Sequence, residues 1–151
     1  MTTKSKGNLM VMNTKIYKQV YTLAGCLMDS VDREDQVQFD DDYAQLKQIC
    51  EEHEGSSKDH PVQWETLADF TGDIPQSISI YEKALEKAEA ISETEFCSSI
   101  GFSIASMKLE LDDKAGAIES LEKARLACLE IDDKELKREI HDLLTDLKKV
   151  D

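Results

Sequence analysis

The chain has 151 residues, 40% of them hydrophobic and 33% charged, with two prolines and six glycines. That length suits one domain able to bury a core without a disulfide or metal staple, and the composition favours helices joined by short turns. The formal charge of −14 disfavours a nucleic-acid backbone or an anionic membrane as partner, since both would be repelled, and leaves a neutral or basic protein as the natural ligand.

Lys4, Lys6, Lys15 and Lys18 all precede the first acid, Asp29, and residues 1–12, which hold the first two, read as a flexible basic arm. The segment from Met1 to Lys18 shows no continuous apolar core of a secretory signal, and no run has the length of a membrane span, so a cytoplasmic location is expected. Cys26, Cys50, Cys97 and Cys128 form no Cys-x-x-Cys pair and sit at or beside apolar helical positions, which predicts buried free thiols.

From residue 13 the chain reads as a single all-α domain. Ile16, Val20, Leu23, Ala24, Leu27, Met28 and Val31 recur at three- and four-residue intervals and predict a first helix ending before Asp32-Arg-Glu-Asp35. Phe39, Tyr43, Leu46, Ile49, Cys50 and His53 predict a second, with Asp40, Asp41 and Asp42 in its first turn. The two form a hairpin over 13–54, closed by the loop Glu54-Gly-Ser-Ser-Lys-Asp59. Pro61 opens a short third helix carrying Val62, Trp64, Leu67, Ala68 and Phe70, stopped by Thr71-Gly-Asp73. Asp73 and Gln76 resemble a capping box for a fourth helix with Ile74, Ile78, Tyr81, Ala84, Leu85, Ala88 and Ile91.

Ser92-Glu-Thr-Glu95 predicts a capping box for a fifth helix, bearing Phe96, Ile100, Ile104, Met107 and Leu111. Asp112-Asp113 separates it from a sixth, with Ala117, Ile118, Leu121, Ala124, Cys128 and Leu129. Asp132 and Glu135 start a seventh over 132–149, whose Leu136, Ile140, Leu143, Leu144 and Leu147 make one apolar face. That helix reads as a C-terminal cap. No stretch alternates with the period of a strand.

The segment Ile78-Ser-Ile-Tyr-Glu-Lys-Ala84 returns about forty residues later as Ile118-Glu-Ser-Leu-Glu-Lys-Ala124, and an internal period of this size marks stacked helical units. Trp64, Leu67 and Ala68 followed by Ser77, Tyr81 and Ala84 resemble a tetratricopeptide repeat, in a unit over 60–91. Gly101, Ile104 and Ala105 followed by Ala117, Leu121 and Ala124 resemble a second, over 92–131. The period is longer than the usual value of about 34 and resembles the longer-helix variant. The hairpin at 13–54 fits only loosely, through Tyr21, Ala24 and Gly25, as a degenerate repeat. HEAT-like repeats and a plain helix bundle are the alternatives.

The resemblance implies an antiparallel helix-hairpin superhelix of about seven helices, with Ala68, Ser77, Ala84, Ala105, Ala117 and Ala124 at close helix approaches. It also implies a concave groove lined by the first helix of each unit. Val62, Glu65 and Asp69 on the third helix and Ser99, Phe102, Ser106, Leu109 and Glu110 on the fifth are the partner-binding candidates, Phe102 being the candidate anchor. The function so implied is a non-enzymatic adaptor or scaffold that holds a segment of another protein, with a chaperone for an aggregation-prone client as the alternative. A second copy of the chain is a further candidate partner.

Neither a catalytic site nor a cofactor is expected. Cys50, His53 and His60 lack further ligands at metal-site spacing, and Glu51, Glu52 and Glu54 oppose a thiolate at Cys50. Asp40, Asp41 and Asp42 are adjacent instead of alternating as a calcium loop requires. Gly55-Ser-Ser-Lys58 lacks the second glycine and the preceding strand of a phosphate loop.

Overall fold

The computed structural model describes residues 13–149; the arm assigned to residues 1–12 lies outside them. The described residues form seven helices and no strand: α1 (Thr14–Asp32), α2 (Gln36–His53), α3 (Pro61–Asp69), α4 (Ile74–Ala90), α5 (Thr94–Glu110), α6 (Lys114–Cys128) and α7 (Lys134–Leu147). The chain is therefore all-α, with each helix packed against the next.

Capping explains most of the helix starts. The side chains of Asn13, Asp35, Asp73, Asp113 and Asp133 each accept a hydrogen bond from the backbone N–H three residues on, and His60 accepts one from Val62. Such caps satisfy orphan donors and contribute about 1 kcal/mol each.

Three expected boundaries move. Helix α2 starts a turn early, at Gln36, so Asp40, Asp41 and Asp42 lie inside it and Asp42 is buried. Asp133, not Asp132, caps α7. Ser92 caps nothing: it adopts a left-handed backbone, φ 56°, and Glu93 occupies the cap position of α5 without a side-chain bond.

The reason is a shared turn. Glu34, Ser92 and Asp112 are all left-handed, and after each the next N–H reaches back to a carbonyl five residues earlier: Asp35 to Ser30, Glu93 to Ala88 and Asp113 to Lys108. This is the helix-stop geometry usually occupied by glycine. Because a side chain at positive φ carries a steric cost, Glu34→Gly is expected to raise stability by about 0.5–1 kcal/mol despite the freer unfolded chain. Urea unfolding of the two proteins measures it, and a loss of stability would show that the Glu34 side chain contributes more than its backbone costs.

The core consists of two clusters that follow one another along the chain. Leu27, Leu46, Cys50, Trp64, Leu67, Tyr81, Ala88, Ile100 and Ile104 fill its first part, and Ala105, Ala117, Leu121, Ala124, Cys128, Ile131, Ile140 and Leu144 the second. All six small residues, Ala68, Ser77, Ala84, Ala105, Ala117 and Ala124, are buried. Gly101 shows why size matters there: a Cβ on it would stand 3.1 Å from the Cβ of Ala124.

The hairpin of α1 and α2 departs from expectation. Met28 and Val31 are exposed and Ser30 takes a core position; of the three loosely matched repeat positions Tyr21 and Gly25 are exposed and Ala24 is half-buried. Leu111 and Leu129 at the ends of α5 and α6 are exposed too. Among the thiols, Cys50 and Cys128 are buried and Cys97 is half-buried, but Cys26 is exposed; all four are free.

One junction ties the loop after α2 to the units beyond it. Asp59 accepts hydrogen bonds from Gly55 N at 2.8 Å, Trp64 Nε1 at 2.8 Å and Lys87 Nζ at 2.7 Å. Lys83 pairs with Glu54 and, with Lys87, lies over the Trp64 ring. Burial pushes the Asp59 pKa up, but these donors and the Lys87 charge outweigh it and hold the carboxyl below its ordinary value.

Candidate partner-binding groove

The helices sort into two layers. α1 touches α3, α3 touches α5 and α5 touches α7, whereas α2, α4 and α6 do not touch one another among the described residues. Helices α1, α3, α5 and α7, in which alternate helices meet, make up the inner layer, and α2, α4 and α6 the outer one. The groove candidates sit on α3 and α5, in the inner layer.

A polar junction joins α3 and α5 of that layer to α4 of the other. Glu65 and Asp69, one helical turn apart on α3, flank Ser99 of α5 and Tyr81 of α4. Ser99 Oγ donates to Glu65 Oε2 at 3.3 Å, and the Tyr81 hydroxyl donates to Asp69 Oδ1. Burial, then the neighbouring Asp69 charge, raises the Glu65 pKa to about 7, against a small downward pull from Ser99. Asp69 is exposed as a residue, but desolvation around its carboxyl raises its pKa against the lowering effect of the Tyr81 bond. Burial and the bond to Asp69 push the Tyr81 phenol well above its ordinary range, and Ser103 pulls weakly the other way. No lysine or arginine among the described residues forms an ion pair with Glu65 or Asp69.

Beside this junction a cleft of about 290 Å³ opens between the N-terminal ends of α5 and α7, lined by Glu95, Phe96, Ser99, Ile131, Asp133 and Leu136. Ser99 belongs to both, so junction and cleft are contiguous. The Phe96 ring is met edge-on by His60, 5.3 Å between centroids. The Nδ1 of His60 accepts from Val62 N, its Nε2 is buried without a partner among the described residues, and burial lowers its pKa despite the Asp59 charge.

The candidates divide accordingly. Glu65, Asp69 and Ser99 are brought together, with half-buried Val62 one turn before Glu65. Phe102 and Leu109 are half-buried against the second core, among Ile118, Leu136, Leu143 and Leu147. Ser106 is half-buried and bonds back to the Phe102 carbonyl at 3.1 Å, while Glu110 is exposed at the end of α5. Helix α3 has only nine residues, about 13 Å, so it ends before it can lie beside the last turns of α5. Phe96, Tyr81, Glu95 and Asp133 were missed because the first two carry core spacing and the acids look like ordinary helix-start charges.

Cys50 offers no nucleophile. Its thiol donates to the Gln63 carbonyl at 3.2 Å, and burial followed by the charges of Asp59, Glu51 and Glu54 pushes its pKa up to about 12. Among the described residues no three His, Cys, Asp or Glu side chains converge as a metal site requires, and no helix is long and apolar enough to cross a membrane. Comparison of the chain with protein-family models, curated proteins and solved structures returns no match.

Proposed function

We propose that the chain is a tetratricopeptide-like interaction module, an adaptor that holds a lysine- or arginine-bearing segment of another protein along its inner layer of helices. The observation that carries this reading is the pair Glu65 and Asp69, two carboxyls facing one junction with no cation among the described residues to balance them. An ammonium or guanidinium delivered there ionises Glu65 and replaces lost hydration with charge-assisted hydrogen bonds. The adjoining cleft of Phe96, Ile131 and Leu136 offers apolar area for a neighbouring ligand residue, between Glu95 and Asp133. Phe102 and Leu109 extend the surface along α5.

The test is binding of an array of short peptides, basic, neutral and acidic, to the intact protein. Basic peptides should be retained at low salt and lost as salt rises. Glu65→Gln with Asp69→Asn should weaken retention about tenfold, the loss of one charge-assisted contact, and Phe102→Gln with Leu109→Gln should weaken it further with helicity preserved. Retention indifferent to peptide charge, or unaltered by both pairs, sinks the proposal.

A further inference from the structure

Helix α1 presents two apolar seams side by side. Ile16, Val20, Leu23, Leu27 and Ser30 face the core, whereas Tyr17, Tyr21, Ala24, Met28 and Val31 form a second row with the same alternation of four and three residues. That alternation, averaging 3.5, is the spacing of a helix-to-helix seam. Yet the second row is open: Tyr17 is 42% exposed, Tyr21 71%, Met28 61% and Val31 56%. Tyr17 and Tyr21 stack with centroids 6.3 Å apart. Four large apolar side chains in one stripe exceed the scattered exposure normal on a soluble surface.

Gly25 gives a second, independent sign. It lies in the middle of α1, where glycine costs about 1 kcal/mol against alanine. Nothing in the fold demands it there, because a Cβ added to it would meet no atom within 4 Å. With Ala24 it makes the one shallow point of the seam, near the midpoint between Tyr17 and Val31.

Charge specifies what fits. Lys15 and Lys18 lie at one end of α1, Asp29 and Asp32 at the other. Lys18 and Asp32 are fourteen positions apart, two seam periods, so they flank the same side of the row. A second α1 laid end for end across Ala24 and Gly25 brings Lys18 toward Asp32 twice, and sets the tyrosine end of each row against the Met28 and Val31 end of the other. A parallel arrangement would oppose like charges at both ends. We infer that the outer face of α1 is the two-fold contact of an antiparallel homodimer, with the helices crossing at Ala24 and Gly25. The interface is isologous and small for a stable dimer, so association should be reversible in the micromolar range.

Sedimentation equilibrium of the full chain over a dilution series tests this. The expected mass approaches twice the 17.1 kDa of the chain at high concentration and falls toward one chain on dilution. Tyr21→Glu and Met28→Glu replace exposed residues, so each should retain helicity while raising the dissociation constant at least a hundredfold. Lys18→Glu or Asp32→Lys alone should raise it about tenfold, and the double variant should restore it. A single-chain mass at every soluble concentration overturns the inference, leaving the row to residues 1–12 or to a different protein. A dimer indifferent to Tyr21→Glu and Met28→Glu overturns it as well, and failure of the double charge exchange to restore association overturns the antiparallel arrangement.

Discussion

Glu65→Gln is expected to stabilise the protein by about 2–3 kcal/mol at about pH 8 and to leave it nearly unchanged at about pH 4.5. In the folded chain, burial and the Asp69 charge raise the Glu65 pKa from 4.5 to about 7. Between those values the native state holds a proton that the unfolded state has released, so the stability contributed by protonated Glu65 is present below about pH 4.5 and is lost as pH rises through about 7. Glutamine keeps the shape and cannot ionise. The difference in urea midpoint between the two proteins, measured across pH, isolates this group. Other sites act on both proteins alike: His60, with its lowered pKa, costs stability as pH falls below its ordinary value, and Asp59 does so at more acidic pH. A constant difference at all pH values would assign the effect to packing, and a destabilised variant at about pH 8 would mean that ionised Glu65 is compensated.

The same group couples stability to the proposed binding. A cationic ligand would lower the Glu65 pKa and release a proton, so affinity for basic peptides should rise with pH through about 7 in the native chain and lose most of that rise in Glu65→Gln. A carboxyl that costs stability when empty and gains from a cation is characteristic of a site shaped for a ligand at the expense of the free fold.

The second large effect is expected at Gly101. Gly101→Leu should destabilise by about 3 kcal/mol, because the new side chain must displace Ala124 and the backbone near Ser120 at a close approach of α5 and α6. The better helix propensity of leucine offsets only about 1 kcal/mol of this. Thermal unfolding provides the measurement. A loss below about 1 kcal/mol would show that the two helices separate easily and that Gly101 is no packing determinant.

Much of this fold was legible because its information is local. A helical face written in three- and four-residue steps predicts a helix wherever it occurs, and Asp73, Pro61 and Pro75 mark helix starts through backbone chemistry that needs no tertiary partner. Of the residues shared by 78–84 and 118–124, Ala84 and Ala124 are buried packing positions, whereas Ile78 and Ile118 are half-buried. The turns were less legible. Ser92 offered the hydroxyl of a capping residue, but the helix-stop geometry required a left-handed residue there first and moved the cap to Glu93.

The candidate site was legible only in part. The groove reading selected Glu65, Asp69 and Ser99, yet nothing in their spacing indicates that Tyr81 bonds Asp69, or that Glu65 is half-buried with no ion-pair partner among the described residues. Desolvation is a property of neighbours distant in sequence, and Ser99 lies thirty-four residues from Glu65. By itself the sequence determined the helices, their order and the small residues at their contacts, because each depends on periodicity or on the room between two backbones. Only the tertiary structure decided which apolar residues stay outside. Tyr21, Met28 and Val31 repeat as regularly as the core residues beside them, but a helix at the edge of a stack has one neighbouring layer and buries only the face turned toward it.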